Sequence, residues 1–252
     1  MTSAAAFAYT YDAVGHFLWP GYVSAGRVDA LAADLDQIGW DDSEFARTRR
    51  IDELTRKSEV ARELATEIFA ADWLSLVITY PHRIIESYAL DRQPGGWLPF
   101  HGGASERLGR SGRPEAEDIS VAYLVRSGRM YSHRVKALVY LDPICADEDG
   151  PLLYIEGSHK ANFAFMQAFS AGPAELDGYQ HLVRRITVGA GDALILNEAV
   201  VHGTRVKLSP ARRRVAIFTF APSFAGSWSD LGRHSADLSR SGYAMVDTED
   251  SH

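Results

Sequence analysis

The chain has 252 residues, of which 46% are hydrophobic and 23% charged, a balance typical of a globular protein with one sizeable core. Its formal net charge of −7 disfavours a nucleic-acid-binding protein, although a local basic pocket for a small anion stays compatible with it. Cys145 is the only cysteine, which excludes an internal disulfide and a CxxC metal site and suits a reducing cytosol. No signal peptide and no apolar run of roughly 18 residues is recognisable, so we expect a cytoplasmic protein without a membrane anchor.

Two amphipathic helices are predicted near the N-terminus, after an aromatic-rich lead-in over residues 1–20. Ser24 is expected to cap a helix that runs to about Ile38 and ends at Gly39. Ser58 is expected to cap the second helix. Both helices have the apolar stripe of scaffold elements that pack on a core.

Beyond Pro81 the sequence changes to short runs of β-forming residues separated by Gly, Pro and Asp. Helices followed by many short strands predict a mostly β fold, a sandwich or barrel with a helical buttress, in a single domain over 1–252. The polar segment 102–134 has little periodicity and is predicted to be a long functional loop. The predicted strands are Ile84–Leu90, Val135–Leu141, Leu152–Ile155, Ile186–Val188, Ala193–Leu196 and Val215–Phe220.

Three motifs carry candidate chemistry. The first is Leu98-Pro-Phe-His101-Gly-Gly103-Ala-Ser105, and the second runs from Asp149-Gly-Pro to Gly157-Ser158-His159-Lys160. The third runs from Gly191-Asp192 to His202-Gly-Thr204 and is followed by Arg212-Arg213-Arg214.

With these motifs in this order, the chain resembles the phytanoyl-CoA dioxygenase family of Fe(II)/2-oxoglutarate enzymes. The segment Phe17-Leu-Trp-Pro-Gly-Tyr-Val-Ser is also similar to the opening of that family, so the resemblance covers about residues 14 to 222. It implies a double-stranded β-helix, a cupin-like jelly-roll barrel whose mouth holds the metal. It also implies Fe(II), 2-oxoglutarate and O2 as cofactors and a small molecule as substrate, and it leaves the oligomeric state open.

The resemblance implies a role for five residues. His101 and His202 are expected to bind iron, since a facial site needs two imidazoles on one side of the metal and a jelly roll brings distant strands together. Arg213, eleven residues after His202, is expected to pair with the distal carboxylate of 2-oxoglutarate. Arg212 and Arg214 would then point to the opposite face of the strand. Thr204 is expected to donate a further hydrogen bond to the co-substrate, and His159 is implied to be structural.

The chain departs from the family at Gly103, where the usual third position of the motif is Asp or Glu and completes the iron site. A subset of 2-oxoglutarate enzymes has glycine or alanine at this position, and those enzymes are halogenases, so we predict a chlorinase in which chloride fills the vacancy at Gly103. One alternative is a hydroxylase in which another carboxylate, such as Glu106, replaces the lost ligand. A second alternative is a non-catalytic relative that binds a small molecule, which the retained His101, His202 and Arg213 disfavour.

The substrate is predicted less specifically. Arg126, Arg129 and Arg134 give the segment 102–134 a basic character in an acidic protein. We expect them to hold an anionic group of the substrate, such as the phosphate of a nucleotide. A substrate tethered to a carrier protein is the competing interpretation.

Overall fold

The computed structural model describes residues 3–43, 45–102, 122–160 and 180–224. The α-helices in these residues are α1 (Ala4–Val14), α2 (Ala25–Ile38), α3 (Leu54–Lys57), α4 (Glu59–Phe69) and α5 (Asp72–Ile78). The strands are β1 (His16–Trp19), β2 (Asp41–Ser43), β3 (Thr48–Asp52), β4 (His82–Arg92), β5 (Tyr123–Arg126), β6 (Arg129–Ser132), β7 (Val135–Tyr140), β8 (Leu152–Ile155), β9 (Val183–Ile186), β10 (Ala193–Asn197), β11 (His202–Thr204) and β12 (Arg214–Pro222).

Both predicted helices are present. Helix α2 begins after Ser24 and ends at Gly39, although the Ser24 side chain makes no capping bond. Helix α4 begins after Ser58, whose hydroxyl accepts a hydrogen bond from the amide of Ala61 and so satisfies one of the free N–H groups of the first turn.

Two antiparallel sheets form the body of the fold. The larger has the order β1-β10-β7-β12-β4-β3-β2, and the smaller has the order β11-β8-β9. One face of the large sheet packs on the helices, where Leu31 and Leu64 meet Phe218 in one apolar cluster. Its other face packs on the small sheet, where Leu138 and Leu152 belong to a second cluster. Two facing antiparallel sheets with a helical layer are the predicted jelly roll.

Most predicted strands match the observed ones to within two residues, because short runs of β-forming residues are typical of strands buried on both faces. The strand predicted at Ile186–Val188 lies earlier in the chain. The strand there is Val183–Ile186, and Val188 instead forms an isolated bridge with Ile144.

Two segments predicted as irregular contain regular structure. Within the predicted loop, Tyr123–Ser132 forms the hairpin β5–β6, which turns at Ser127 and Gly128 with positive φ at both residues. The aromatic-rich lead-in contains α1, which ends at Gly15 in the left-handed conformation, and then β1. In the described part of the chain, no helix is long and apolar enough to cross a membrane.

Candidate active site

A cavity of about 520 Å³ lies between the two sheets. Apolar side chains such as Leu138, Leu196 and Ile217 form much of its wall. Its polar lining residues are Arg50, Arg92, His101, Lys136, His202, Thr204 and Arg213, among others. A mostly apolar cavity with a few convergent polar groups is typical of a small-molecule site.

His101 and His202 lie side by side at this cavity. Their backbones form an isolated bridge in which each amide donates to the carbonyl of the other, at 2.8 and 2.9 Å. Their ring centroids are 4.1 Å apart. The pairing of the segment after β4 with β11 therefore brings together two residues that are far apart in the sequence.

The backbone selects the tautomer of each histidine. Nδ1 of His101 donates to the carbonyl of Pro99 at 2.9 Å, and Nδ1 of His202 donates to the carbonyl of Val200 at 2.7 Å. This assignment follows from the hydrogen-bond partners, and it leaves the lone pair of both Nε2 atoms free. Histidines that bind metals usually hold their second nitrogen in this way.

Burial keeps both imidazoles neutral. It lowers the pKa of His101 to about 3, with a further contribution from His202. Burial also lowers the pKa of His202. A neutral imidazole is the form that binds a metal ion.

A carboxylate completes a group of three candidate ligands. One ligand atom from each of His101, Glu198 and His202 lies within 4.8 Å of the others. Glu198 is only 9% exposed, and its two oxygens lie 2.9 and 2.8 Å from Nζ of Lys136. Burial raises the pKa of Glu198, but Lys136 and the two histidines outweigh burial and lower the pKa to about 2, so the side chain is ionised. Glu198 was not predicted from the sequence.

Gly102 allows the turn that carries Glu198 to approach His101. Its φ is +85°, and a Cβ there would lie 2.5 Å from the carbonyl oxygen of Val200 and 2.6 Å from that of Glu198. Both neighbours are backbone atoms, so only glycine fits without displacing the turn. Gly103, predicted to provide the halide vacancy, and Glu106, the suggested substitute ligand, lie outside the described residues.

Arg213 points into the cavity, and its two neighbours point away from it. Arg213 is 4% exposed, and its Nε donates to the carbonyl of Gly150 at 2.9 Å. On the other face, Arg212 pairs with Asp36 at 2.7 Å, and Arg214 pairs with Asp142 at 2.8 Å. This is the alternation that the sequence predicted.

Thr204 lines the same cavity. Its hydroxyl oxygen accepts a hydrogen bond from the amide of Leu98 at 2.8 Å. The hydroxyl hydrogen is therefore available to donate to a bound molecule.

Arg92 is a second buried guanidinium at the cavity. It lies opposite Arg213 across β4 and β12, where its amide donates to the carbonyl of Arg213 at 3.1 Å. The side chain is 3% exposed, and its Nε and Nη1 have no hydrogen-bond partner in the described part of the chain. Burial and the nearby charge of Arg213 lower the pKa of Arg92 to about 9. Neither Arg92 nor its inward position was predicted from the sequence.

The arginines predicted to bind the substrate do not line this cavity. Arg126 and Arg129 are exposed on the hairpin β5–β6. Arg134 is 4% exposed, and its carbonyl accepts a hydrogen bond from the amide of Glu198 at 3.2 Å. The structure thus does not bring the three side chains together at the cavity, because the hairpin holds two of them in solvent.

Fold and site together define a class. An antiparallel jelly roll whose cavity presents two histidines, a carboxylate and buried arginines matches the iron enzymes that take 2-oxoglutarate. The phytanoyl-CoA dioxygenase (PhyH) family model matches residues 11–215, and the chain belongs to this family. The protein is therefore a non-haem Fe(II)/2-oxoglutarate-dependent enzyme of the oxygenase type.

The solved structure of HygX from Streptomyces hygroscopicus with nickel and 2-oxoglutarate bound is 34% identical, covers 96% of this chain and 95% of its own, and has a TM-score of 0.80. HygX with nickel, 2-oxoglutarate and hygromycin B bound is also 34% identical over the same shares, with a TM-score of 0.78. AviO1 from Streptomyces viridochromogenes Tue57 is 15% identical over 90% of this chain and 98% of its own, with a TM-score of 0.60, and so supports the fold alone. No curated protein matches the chain.

Proposed function

We propose that the protein oxidises a C–H bond of a small polar metabolite by hydroxylation or a related oxidative step, with His101, Glu198 and His202 as its metal ligands. The observation that carries this proposal is the buried carboxylate of Glu198 beside the imidazoles of His101 and His202. Two histidines and one carboxylate form the facial ligand set of non-haem Fe(II) oxygenases.

Glu198 favours the oxygenase alternative over the chlorinase that Gly103 predicts. A chlorinase needs the carboxylate position on the metal to be vacant for a halide. Gly103 supplies no side chain, but the turn after β10 brings the Glu198 carboxylate to the same pair of histidines. A halide beside this ionised carboxylate would be repelled, because two like charges a few Å apart raise the energy of both.

The remaining cavity residues fit the other reactants. Arg213 offers a guanidinium to the distal carboxylate of 2-oxoglutarate, and Thr204 offers its free hydroxyl hydrogen. The apolar walls keep water away from the substrate carbon. Bound iron, together with 2-oxoglutarate and O2, would supply the oxidant that removes a hydrogen atom from that carbon. Placement of the substrate carbon by the cavity then determines which product forms.

The substrate proposal follows HygX, whose structure has been solved with hygromycin B bound. A relative that is 34% identical over nearly the whole chain supports a small polar substrate, and hygromycin B is the first compound to test. A nucleotide phosphate receives less support, since Arg126 and Arg129 lie outside the cavity.

The test is a reaction with Fe(II), 2-oxoglutarate and O2 in saturating chloride, with hygromycin B first and a panel of polar metabolites after it. We expect succinate to form, together with a product that gains one oxygen atom or loses two hydrogen atoms. A product that contains chlorine, recognised by its two isotopes, would contradict the proposal and restore the chlorinase. Failure to bind 2-oxoglutarate in the presence of metal would favour the non-catalytic alternative.

A further inference from the structure

We propose that Arg92 is a second guanidinium for the distal carboxylate of 2-oxoglutarate, acting beside Arg213. The inference rests on the proposed assignment of Arg213 to the co-substrate. It adds a binding residue that comes from the strand β4, far from the His202 motif.

The register of the sheet places the two arginines together. Arg214 pairs with Asp91 in the β4–β12 ladder, so Arg213 and Arg92 are the next residues outward, and the amide of Arg92 bonds to the carbonyl of Arg213. Residues opposite one another on neighbouring strands project to the same face. Both side chains line the cavity, next to Tyr140.

Two buried positive charges need an anion. Among the described residues, neither Arg92 nor Arg213 forms an ion pair with a carboxylate. The nearby Asp91 instead pairs with Arg49 at 2.5 Å and Arg212 at 3.2 Å on the outer face. Burying an unpaired charge is unfavourable, so a site that holds two such charges gains stability from a bound carboxylate.

The buried donor atoms point to the same conclusion. Nε and Nη1 of Arg92 have no hydrogen-bond partner in the described chain, and native proteins rarely leave buried donors in that state without a reason. A guanidinium N–H group without a partner can donate a charge-assisted hydrogen bond to a carboxylate oxygen. Tyr140, whose pKa burial raises, stays a neutral phenol beside both arginines and adds no negative charge.

The test compares two ligands that differ at one end. 2-Oxovalerate keeps the chain length and the 2-oxo acid of 2-oxoglutarate but replaces its distal carboxylate by a methyl group. Affinities of both are measured by calorimetry with the full-length protein loaded with Ni(II), with no dependence on turnover. Arg92→Met should weaken 2-oxoglutarate binding by at least about tenfold and change 2-oxovalerate binding by less than about twofold.

Two further variants make the result specific. Arg214→Met removes an arginine of the outer face, where it pairs with Asp142 at 2.8 Å, and should leave the preference for 2-oxoglutarate unchanged. Arg92→Lys keeps a positive charge without the planar fork and should retain part of the preference.

Each outcome decides the inference. Equal losses for both ligands in Arg92→Met, or no loss for either, would overturn it. If Arg213→Met abolishes the preference and Arg92→Met keeps it, this inference fails and the proposed function stands. If the wild-type protein with Ni(II) binds neither ligand, the proposed function fails as well.

Discussion

Two backbone carbonyls decide which nitrogen of each histidine faces the candidate metal site. Pro99 and Val200 each lie two residues before a histidine and accept its Nδ1–H. His101→Ala or His202→Ala should therefore abolish Fe(II)-dependent turnover and weaken metal binding while the fold persists. Calorimetric metal titration, with circular dichroism as the check on folding, measures this. Unchanged metal affinity in both single variants would refute the assignment.

Gly102 permits the close approach between His101 and the turn that carries Glu198. Gly102→Ala should weaken metal binding about tenfold or more, because a methyl group would push against two backbone carbonyl oxygens. Gly128→Ala is the matched control, since Gly128 also has positive φ, at +71°, and a Cβ there meets nothing within 4 Å. If both variants bind metal with the same affinity, any change comes from backbone strain at positive φ. The close approach between Gly102 and the turn would then not explain it.

Arg213 is distinguished from its neighbours by the face on which it lies. Arg213→Met should raise the 2-oxoglutarate concentration needed for half-maximal turnover by about 100-fold, because the distal carboxylate loses a charge-assisted partner in a buried site. Arg212→Met and Arg214→Met remove ion pairs that lie outside the cavity and should change this concentration little. A larger effect in either control would mean that the co-substrate lies elsewhere.

At this scale the sequence predicted the inward position of Arg213, since alternation along a strand is a local property. It did not predict Glu198 or Arg92. Glu198 becomes a candidate ligand only through the tight turn over 198–201 and its contact with Gly102, and Arg92 only through its register against β12. Both depend on pairing between distant segments. One local feature could have drawn attention to Glu198. It is an acidic residue four positions before His202, and the residues between them, 199–201, are apolar.

At the scale of elements, the turn that carries His159 joins the small sheet to the end of α1. Nε2 of His159 donates to the carbonyl of Asp12 at 2.9 Å, and the side chain is fully buried. Its Nδ1 is buried without a partner in the described chain, close to Gly15. Burial lowers the pKa of His159 to about 4, since a proton on Nδ1 would create an unpaired buried donor.

This geometry predicts a pH-dependent stability. The folded pKa lies below the unfolded value of 6.5, so the contribution of neutral His159 is present above about pH 6.5 and is lost as the pH falls toward 4. His159→Gln should lower the free energy of unfolding by about 2 kcal/mol at pH 7.5 and by less at pH 5. Urea denaturation of the metal-free protein at both pH values measures the difference. A deficit that stays constant with pH would contradict this account.

The elements that the sequence predicted are those whose pattern is local. Helix α4 has a serine cap with a side-chain bond, and the central strands are buried along nearly their whole length. Helix α1 was missed because its buried face consists of aromatic residues, Phe7 and Tyr11, that contact the core one turn apart. The hairpin β5–β6 was missed because four of its eight strand residues are exposed and the polar sequence of its turn is typical of a loop.

At the scale of the whole molecule, the jelly roll follows from two sheets that each have one face on a shared interior. The large sheet is covered on its other face by helices, so its strands are apolar on both sides and easily recognised. The cavity between the sheets is not visible in the sequence. Its polar residues come from β3, β4, β7 and β11 and from His101 and Arg213 outside the strands, and they meet only after the sheets have paired.

The central claim is that Glu198 is the third protein ligand of the metal. Removing Glu198 alone would leave Lys136 buried without its partner and could weaken the fold for that reason. The comparison is therefore between Lys136→Met and the double variant Lys136→Met/Glu198→Ala, in which neither charge remains. Both variants lack the ammonium, so any difference in metal affinity between them belongs to the carboxylate.

The measurement is anaerobic Fe(II) titration of these two variants with and without saturating chloride. We predict that the double variant binds Fe(II) at least about tenfold more weakly than Lys136→Met, and that chloride leaves the affinity of Lys136→Met unchanged. Equal Fe(II) affinities in the two variants, or an Fe(II) affinity of Lys136→Met that rises with chloride, would contradict the claim. Either result would favour a halide at this position of the metal.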